Sequence, residues 1–243
     1  MESSTVVAPK QKEKIEPQKI KNLAALSLGY FVDQGEGQAM SIFSPVLKAI
    51  WGLSISNLSL ITFIRSLLQS LSSPFWGYLA DRYSRRKVLF WGTGFWGVWT
   101  VLVGLTQNFS QLLWVRVISG IGLGCLMPAT FSIMADTFAP RIRGRMLGIL
   151  ESIGVFGIII FTVGLGRLAT PELWRYGFII LGIASIISGF VILFVVKEPV
   201  RGAAEPEMQG KLTVEDANKY KAKFSDIKKV LSIPTIQVAI VQG

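Results

Sequence analysis

Histidine is absent from the 243 residues, and cysteine occurs once, at Cys125. Without histidine there is no Ser-His-Asp or Cys-His nucleophile and the commonest metal ligand is missing, which leaves carboxylates as the natural proton carriers. A lone thiol forms no intrachain disulfide, and Cys125 sits inside an apolar run. No thiol-base pair and no metal-ligand spacing appears, so the residues call for no enzyme, no metal and no cofactor. Charge is also scarce: 16% of residues are charged against 51% hydrophobic, a balance that weakens a soluble one- or two-domain reading. Residues 1–21 are polar and Lys-rich, with no short apolar core before a small-residue cleavage site, so no cleavable signal peptide is expected.

Long apolar runs decide the class. A bilayer-spanning helix needs ~20 predominantly apolar residues, and six such segments occur, at about 23–47, 56–79, 87–107, 111–135, 144–168 and 176–196. Each is too long for a strand and too apolar around its circumference for a surface helix. The sequence therefore predicts an all-α membrane bundle of six transmembrane helices (22–196) behind a polar cytoplasmic tail (1–21). A cytoplasmic linker (197–231) follows, with helical spacing of Ala217, Tyr220, Phe224, Ile227 and Leu231 that suits either an amphipathic helix on the membrane face or a solvated connecting helix. A seventh apolar run opens in 232–243 and stops at Gly243, short of a span.

The formal charge of +10 could suggest nucleic acid, but its distribution argues otherwise. Apart from Lys48, Arg65, Arg116, Arg167 and Arg175, the remaining 20 of 25 Lys and Arg residues fall in four places. These are the tail (Lys10 to Lys21), the connection at Arg82 to Lys87, the connection at Arg141 to Arg145, and the segment Lys197 to Lys229. Alternating helices put all four on one side, and the positive-inside rule makes that side cytoplasmic, in a plasma or inner membrane with the N-terminus inside. Trp51, Trp114 and Trp174 fit an aromatic belt at the other boundary, with Arg167 and Arg175 as anchors.

The stretch Gly77-Tyr78-Leu79-Ala80-Asp81-Arg82-Tyr83-Ser84-Arg85-Arg86-Lys87 resembles the signature between helices 2 and 3 of the major facilitator superfamily, Gly-x-Leu-Ala-Asp-Arg-x-Gly-Arg-Arg/Lys, departing from it at Ser84. Arg116-Val117-Ile118-Ser119-Gly120-Ile121-Gly122 followed by Pro128 resembles the family's helix 4 pattern, Arg-x-x-x-Gly-x-Gly. Helix 1 with Tyr30-Phe31-Val32-Asp33 is similar to the spinster-like branch, although Gln34 and Leu123 stand where that branch carries Arg and Glu. The resemblance covers about residues 20–200 and implies half of a major facilitator fold, six helices as 3+3 inverted repeats, with a truncated start of helix 7. It implies that Gly77 permits close helix contact and that Asp81 pairs with Arg85 and with Asp136, a latch that closes the cytoplasmic side and releases during transport. Gly120 and Gly124 form a small-x-x-x-small packing face, and Pro128 is tolerable inside a bundle.

Mid-membrane charges are costly and usually face a cavity or one another. Asp33 and Glu36 lie one helical turn apart near the centre of helix 1, Arg65 is central in helix 2, and Gly29, Gly35 and Gly37 mark a place where helix 1 could bend or unwind. In the functional reading Asp33 or Glu36 takes up a proton or cation while Arg65 and Arg116 tune it or hold an anionic group. In the structural reading Asp33, Glu36 and Arg65 form a static network that fixes helix 1 against helix 2. Glu151 admits a functional or a snorkelling role alike. The expected function is one half of an ion- or proton-coupled transporter that moves a small organic solute by alternating access. Its partners are the lipid bilayer, the solute, a proton or cation, and a second six-helix half in the same protein or another chain. The competing reading is a non-transporting facilitator-derived subunit of a larger membrane complex.

Overall fold

The computed structural model describes residues 16–202 together with Ala204 and Ser232. The expected amphipathic linker helix, the start of helix 7 and most of the N-terminal tail lie outside these residues. Within them the chain forms six helical rods: α1 (Pro17–Trp51), α2 (Ile55–Arg82), α3 (Arg85–Leu105), α4 (Phe109–Thr137), α5 (Pro140–Gly166) and α6 (Trp174–Val195). Local chemistry sets their ends. Pro17 and Pro140 open α1 and α5, where a missing N–H costs nothing, so helix begins inside the stretch expected as tail. Gly52 closes α1 at φ 63°, a left-handed conformation suited to glycine. The Ser54 hydroxyl accepts from the Asn57 N–H at 3.2 Å to cap α2, and the Asn108 side-chain oxygen Oδ1 accepts from the Gln111 N–H at 2.9 Å to cap α4.

Of the six rods, α3, α4, α5 and α6 are long and apolar enough to cross a membrane. At 35 and 28 residues α1 and α2 have the length, but Asp33, Gln34, Glu36 and Gln38 in α1 and the serines of α2 lower their hydropathy, so six uniformly apolar spans are not what the fold contains. Helix 1 does not unwind at its glycines either: α1 is continuous, Gly29 and Gly35 being filled by Ile192 and Phe161 of neighbouring helices. Trp174 is buried and packs edge-on against Trp51 at 5.6 Å, which removes it from the expected aromatic belt, whereas Trp114 stays exposed. Arg175, expected as an anchor, donates to the Gly104 carbonyl at 2.9 Å and caps α3.

α1 packs mainly on α5 and α6, α2 on α4, and α3 on α6. Backbone approach is closest at glycines, as packing in a bilayer favours. A methyl at Gly157 would lie 2.4 Å from the Phe31 carbonyl oxygen, and one at Gly120 would lie 2.6 Å from that of Arg65. Gly124 sits equally close to Gln69, so Gly120 and Gly124 do form the seam between α4 and α2. Gly77 does not: a methyl there would meet only Pro128 Cβ at 3.9 Å, an ordinary contact.

α4 is interrupted at Gly124 and Cys125, just before Pro128, whose ring carries no N–H for the Gly124 carbonyl. The Cys125 N–H turns to Gly122 at 3.2 Å, and the Ile121 carbonyl that it abandons accepts instead from Trp76 Nε1 at 2.6 Å and Ser72 Oγ at 2.8 Å. α2 thus satisfies a break in α4. α3 contains a π-helical turn at Phe90–Phe95, where Gly94 meets Gly189 of α6.

Two apolar clusters fill the bundle, one around Leu26, Leu89, Leu126 and Ile192, the other around Phe43, Leu112 and Phe178. In α1, α3 and α4 alike, the residues separating the clusters include polar ones: Glu36, Thr100 and Arg116.

Substituting Gly157→Ala should force α1 and α5 apart and cost about 1–3 kcal/mol, the usual range for overpacking. Gly148→Ala, with nothing within 4 Å of the added methyl, should be neutral or slightly stabilising. Unfolding of both variants in mild detergent, followed by helical circular dichroism, measures the difference.

Candidate functional site

The charged residues in the middle of the rods fall into two couples. Glu36 and Arg116 are 2% and 1% exposed, and Arg116 Nη1 lies 3.3 Å from Glu36 Oε1. The same oxygen accepts from the Thr100 hydroxyl at 2.9 Å, and the guanidinium stands 5.6 Å from the Phe178 ring centre. Three helices therefore converge on one carboxylate. Arg116 rather than Arg65 is its cation, so the static network expected of Asp33, Glu36 and Arg65 is replaced by one of Glu36, Thr100 and Arg116.

Asp33 is half-buried and makes no hydrogen bond or ion pair among the described residues, although it lies in the electrostatic field of Glu36 and Arg65. Arg65 is also half-buried, and its Nε has no partner. One turn along α1, the Tyr30 hydroxyl donates to Glu151 Oε2 of α5 at 2.8 Å and accepts from Gln34 Nε2 at 3.4 Å. Glu151 is thus tied to a neighbour across the α1–α5 contact; Tyr30 is a partner that no sequence pattern singled out.

At the end of the bundle where α2, α4 and α6 finish, Arg85 is the hub. It is 1% exposed. Its Nη1 pairs with Asp136 and donates to the Ser132 hydroxyl at 2.9 Å, its backbone N–H and Nε donate to Glu198 Oε1 at 2.9 and 3.2 Å, and its Nη2 donates to the Pro199 carbonyl at 3.1 Å. Asp136 also accepts from the Gly202 N–H at 2.9 Å. Asp81 does not join Arg85. It is 45% exposed at the last turn of α2 and pairs with Arg201 at 3.5 Å, while Arg201 donates to the Ala80 carbonyl at 2.7 Å. The residues expected as a three-residue latch therefore fall into two clusters with three ion pairs, Arg85 with Asp136 and Glu198, and Asp81 with Arg201, both completed by the segment after α6. No spacing rule relates that segment to Arg85, which is why the sequence did not reveal it. Nearby, Arg143 donates to the Ala135 and Phe138 carbonyls at 2.8 and 3.3 Å and closes the end of α4.

Among the described residues no group of His, Cys, Asp or Glu is arranged to hold a metal ion.

The family model described as Major Facilitator Superfamily matches residues 26–242. The chain belongs to that superfamily. Multidrug resistance protein MdtG of Escherichia coli is 32% identical over 196 residues, covering 77% of this chain and 47% of that protein. The "Probable 4-methylmuconolactone transporter" of Cupriavidus pinatubonensis is 27% identical over 183 residues, covering 74% of this chain and 42% of that one. Among solved structures, a bacterial homolog of the human lysosomal transporter Spinster in an inward-facing, occupied conformation matches with a TM-score of 0.70 at 24% identity, over 81% of this chain and 48% of that chain. A double-tryptophan XylE mutant matches at 0.57 and 18%, over 88% and 50%. The chain spans about half the length of the relatives it matches.

As a member of the Major Facilitator Superfamily with four helices of spanning length and apolarity, the chain is an integral membrane protein, and its relatives are transporters rather than enzymes. The departure from the superfamily signature at Ser84 is accommodated without strain: φ −65° and ψ 117° are open to any residue, so this turn needs no glycine.

Burial pushes the Glu198 carboxyl up, but the adjacent Ser84 hydroxyl, the hydrogen bonds from the Arg85 backbone and side chain and the Arg85 charge outweigh it and hold Glu198 below its usual 4.5. A carboxyl depressed in the assembled state contributes fully above its ordinary value, and that contribution is lost as pH falls through the depressed one. Segment 196–202 should therefore show slow amide exchange at neutral pH and faster exchange below the usual glutamate range. Glu198→Gln should exchange faster already at neutral pH and show a smaller acid response. Hydrogen exchange read by mass spectrometry on this segment checks both.

Proposed function

We propose that this chain forms one half of an alternating-access transporter for a small organic solute, coupled to a proton or other cation, with Asp33 as the coupling carboxylate. The observation that carries the reading is the contrast within one turn of α1. Glu36 is enclosed and paired, one of its oxygens accepting from both Arg116 and Thr100, whereas Asp33 is half-buried, without a hydrogen-bond partner among the described residues, and close enough to Arg65 to feel its charge. A carboxylate that is to gain and lose a proton in each cycle needs access and freedom from a fixed cation; an enclosed carboxylate held by Arg116 has less of both.

In this reading all six rods cross the membrane in two inverted groups of three, α1–α3 and α4–α6, and the N-terminus and the Arg85 end are cytoplasmic. At ~1.5 Å per residue, α1 and α2 reach about 52 and 42 Å, more than a ~30 Å hydrocarbon core. The polar faces that lower their hydropathy line the solute path, and a complementary half, on the same polypeptide or another, covers them. The Arg85, Asp136 and Glu198 cluster, extended by Asp81 and Arg201, latches the cytoplasmic side and opens during the cycle. The names of the relatives, a methylmuconolactone transporter and a multidrug resistance protein, support a small organic cargo.

In proteoliposomes of the transporter containing this chain, Asp33→Asn should abolish proton-driven accumulation while leaving passive exchange. Glu36→Gln should instead strand Arg116 in the interior and cost about 3–5 kcal/mol of stability, as loss of one partner of a buried pair does. Proton-driven accumulation by Asp33→Asn equal to that of the parent would refute the assignment.

A further inference from the structure

α1 and α2 leave a groove between them at the end opposite Arg85, with a cavity volume of about 780 Å³. This is the size range of small-molecule sites. Ser41, Ser44 and Lys48 line it from α1, and Ser59, Thr62 and Ser66 from α2. Both sets follow helical register. On α1, Ser41, Ser44 and Lys48 recur at steps of three or four, and Ser59, Thr62 and Ser66 do so on α2, so each helix turns a short polar stripe to the groove; on α1 the same register continues through Gly37 to Asp33, beyond the lining.

The donor inventory of the groove has a sign. Ser44 and Thr62 donate to their own helix, to the Met40 and Leu58 carbonyls at 2.6 and 3.2 Å, and have no hydrogen left to offer. Ser41, Ser59 and Ser66 have no such bond among the described residues and keep a free O–H. Lys48 is exposed and unpaired among the described residues, and an ammonium offers three donors and no acceptor. Among the described residues no carboxylate lines the groove. Pro45 and Phe63 supply an apolar wall beside it. A neutral or cationic solute would leave Lys48 unanswered, whereas a carboxylate with an apolar body would satisfy the ammonium, the three hydroxyls and the wall together.

We propose that the groove between α1 and α2 is a binding site for a small organic anion with an apolar body, its anionic group on Lys48 and the hydroxyls of Ser41, Ser59 and Ser66. The proposal builds on the transporter reading by naming the cargo class, and it places first capture at Lys48, with Asp33 further along the same face of α1.

The test uses the full chain in uncharged maltoside detergent with benzoate, naphthoate and octanoate as probes, each against its neutral amide. Two readouts are taken: calorimetric affinity, and protection of Lys48 from amine acylation measured by peptide mass spectrometry. At least one carboxylate should bind about tenfold more tightly than its amide, the usual worth of one charge-assisted contact, and should protect Lys48. Lys48→Arg should keep this preference and Lys48→Met should lose it, with unchanged helicity in both. Equal affinity for every acid and amide, no protection of Lys48 by any acid, or protection only by added phosphatidylglycerol would overturn the proposal, the last by showing that a lipid headgroup is the occupant. Binding is read without flux, so failure here leaves the Asp33 coupling standing, and failure of Asp33 to couple leaves Lys48 protection measurable.

Discussion

The bundle turns on a single buried carboxylate. Glu36 draws the Arg116 guanidinium from α4 and the Thr100 hydroxyl from α3 onto α1, in the layer that separates two apolar clusters. Neither charge could be left there alone, because an unpaired ion in the interior costs several kcal/mol. Each of the three helices therefore has its axial register set by the same point, and the apolar residues above and below fall into two clusters as a consequence. A one-residue slip of α4 would rotate Arg116 off the Glu36 side of the helix, and the glycines Gly120 and Gly124, in register with Arg116, would leave the α2 seam at the same time.

This arrangement frees the neighbouring carboxylate. Glu36 holds Arg116 and Thr100 on one oxygen, while Asp33 makes no hydrogen bond among the described residues and lies in the electrostatic field of Glu36 and the partly accessible Arg65. Two acids one turn apart thus have different surroundings: one is enclosed and paired with Arg116 and Thr100, the other is half-buried and without a hydrogen bond among the described residues. The tie of Tyr30 to Glu151 adds a third carboxylate at the same helix, anchored across the contact with α5.

Helix existence and class were legible because an apolar run of membrane length fits neither a strand nor the surface helix of a soluble domain, and the superfamily signature located the Arg85 end. Partnerships were less legible. The sequence placed Asp33, Glu36, Arg65 and Arg116 near one depth, but only rotation about each helix axis decides who faces whom, and that is set by close contacts such as Gly120 against Arg65 and Gly157 against Phe31. The role expected of Asp81 passed to Asp136 and Glu198 for a related reason: Arg85 turns inward toward α4 and the chain leaving α6, and a contact spanning 113 residues leaves no local pattern. At Gly77 a family glycine stands where this chain has room to spare, because the break before Pro128 sets the spacing of α2 and α4 instead.

The two rods that fall short of spanning hydropathy are the two that carry the chemistry, and the coincidence has a cause. A helix surrounded by lipid has every reason to be apolar, as α6 is. A helix whose one face looks onto a cavity or a partner can carry Asp33, Lys48 and a line of serines there, because those groups never meet hydrocarbon. Low hydropathy in α1 and α2 is thus evidence for a covered polar face on each. In the proposed reading Asp33 and Lys48, neither paired among the described residues, stand toward opposite ends of this face, and opposite charges there would give a solute path a direction before any solute enters it.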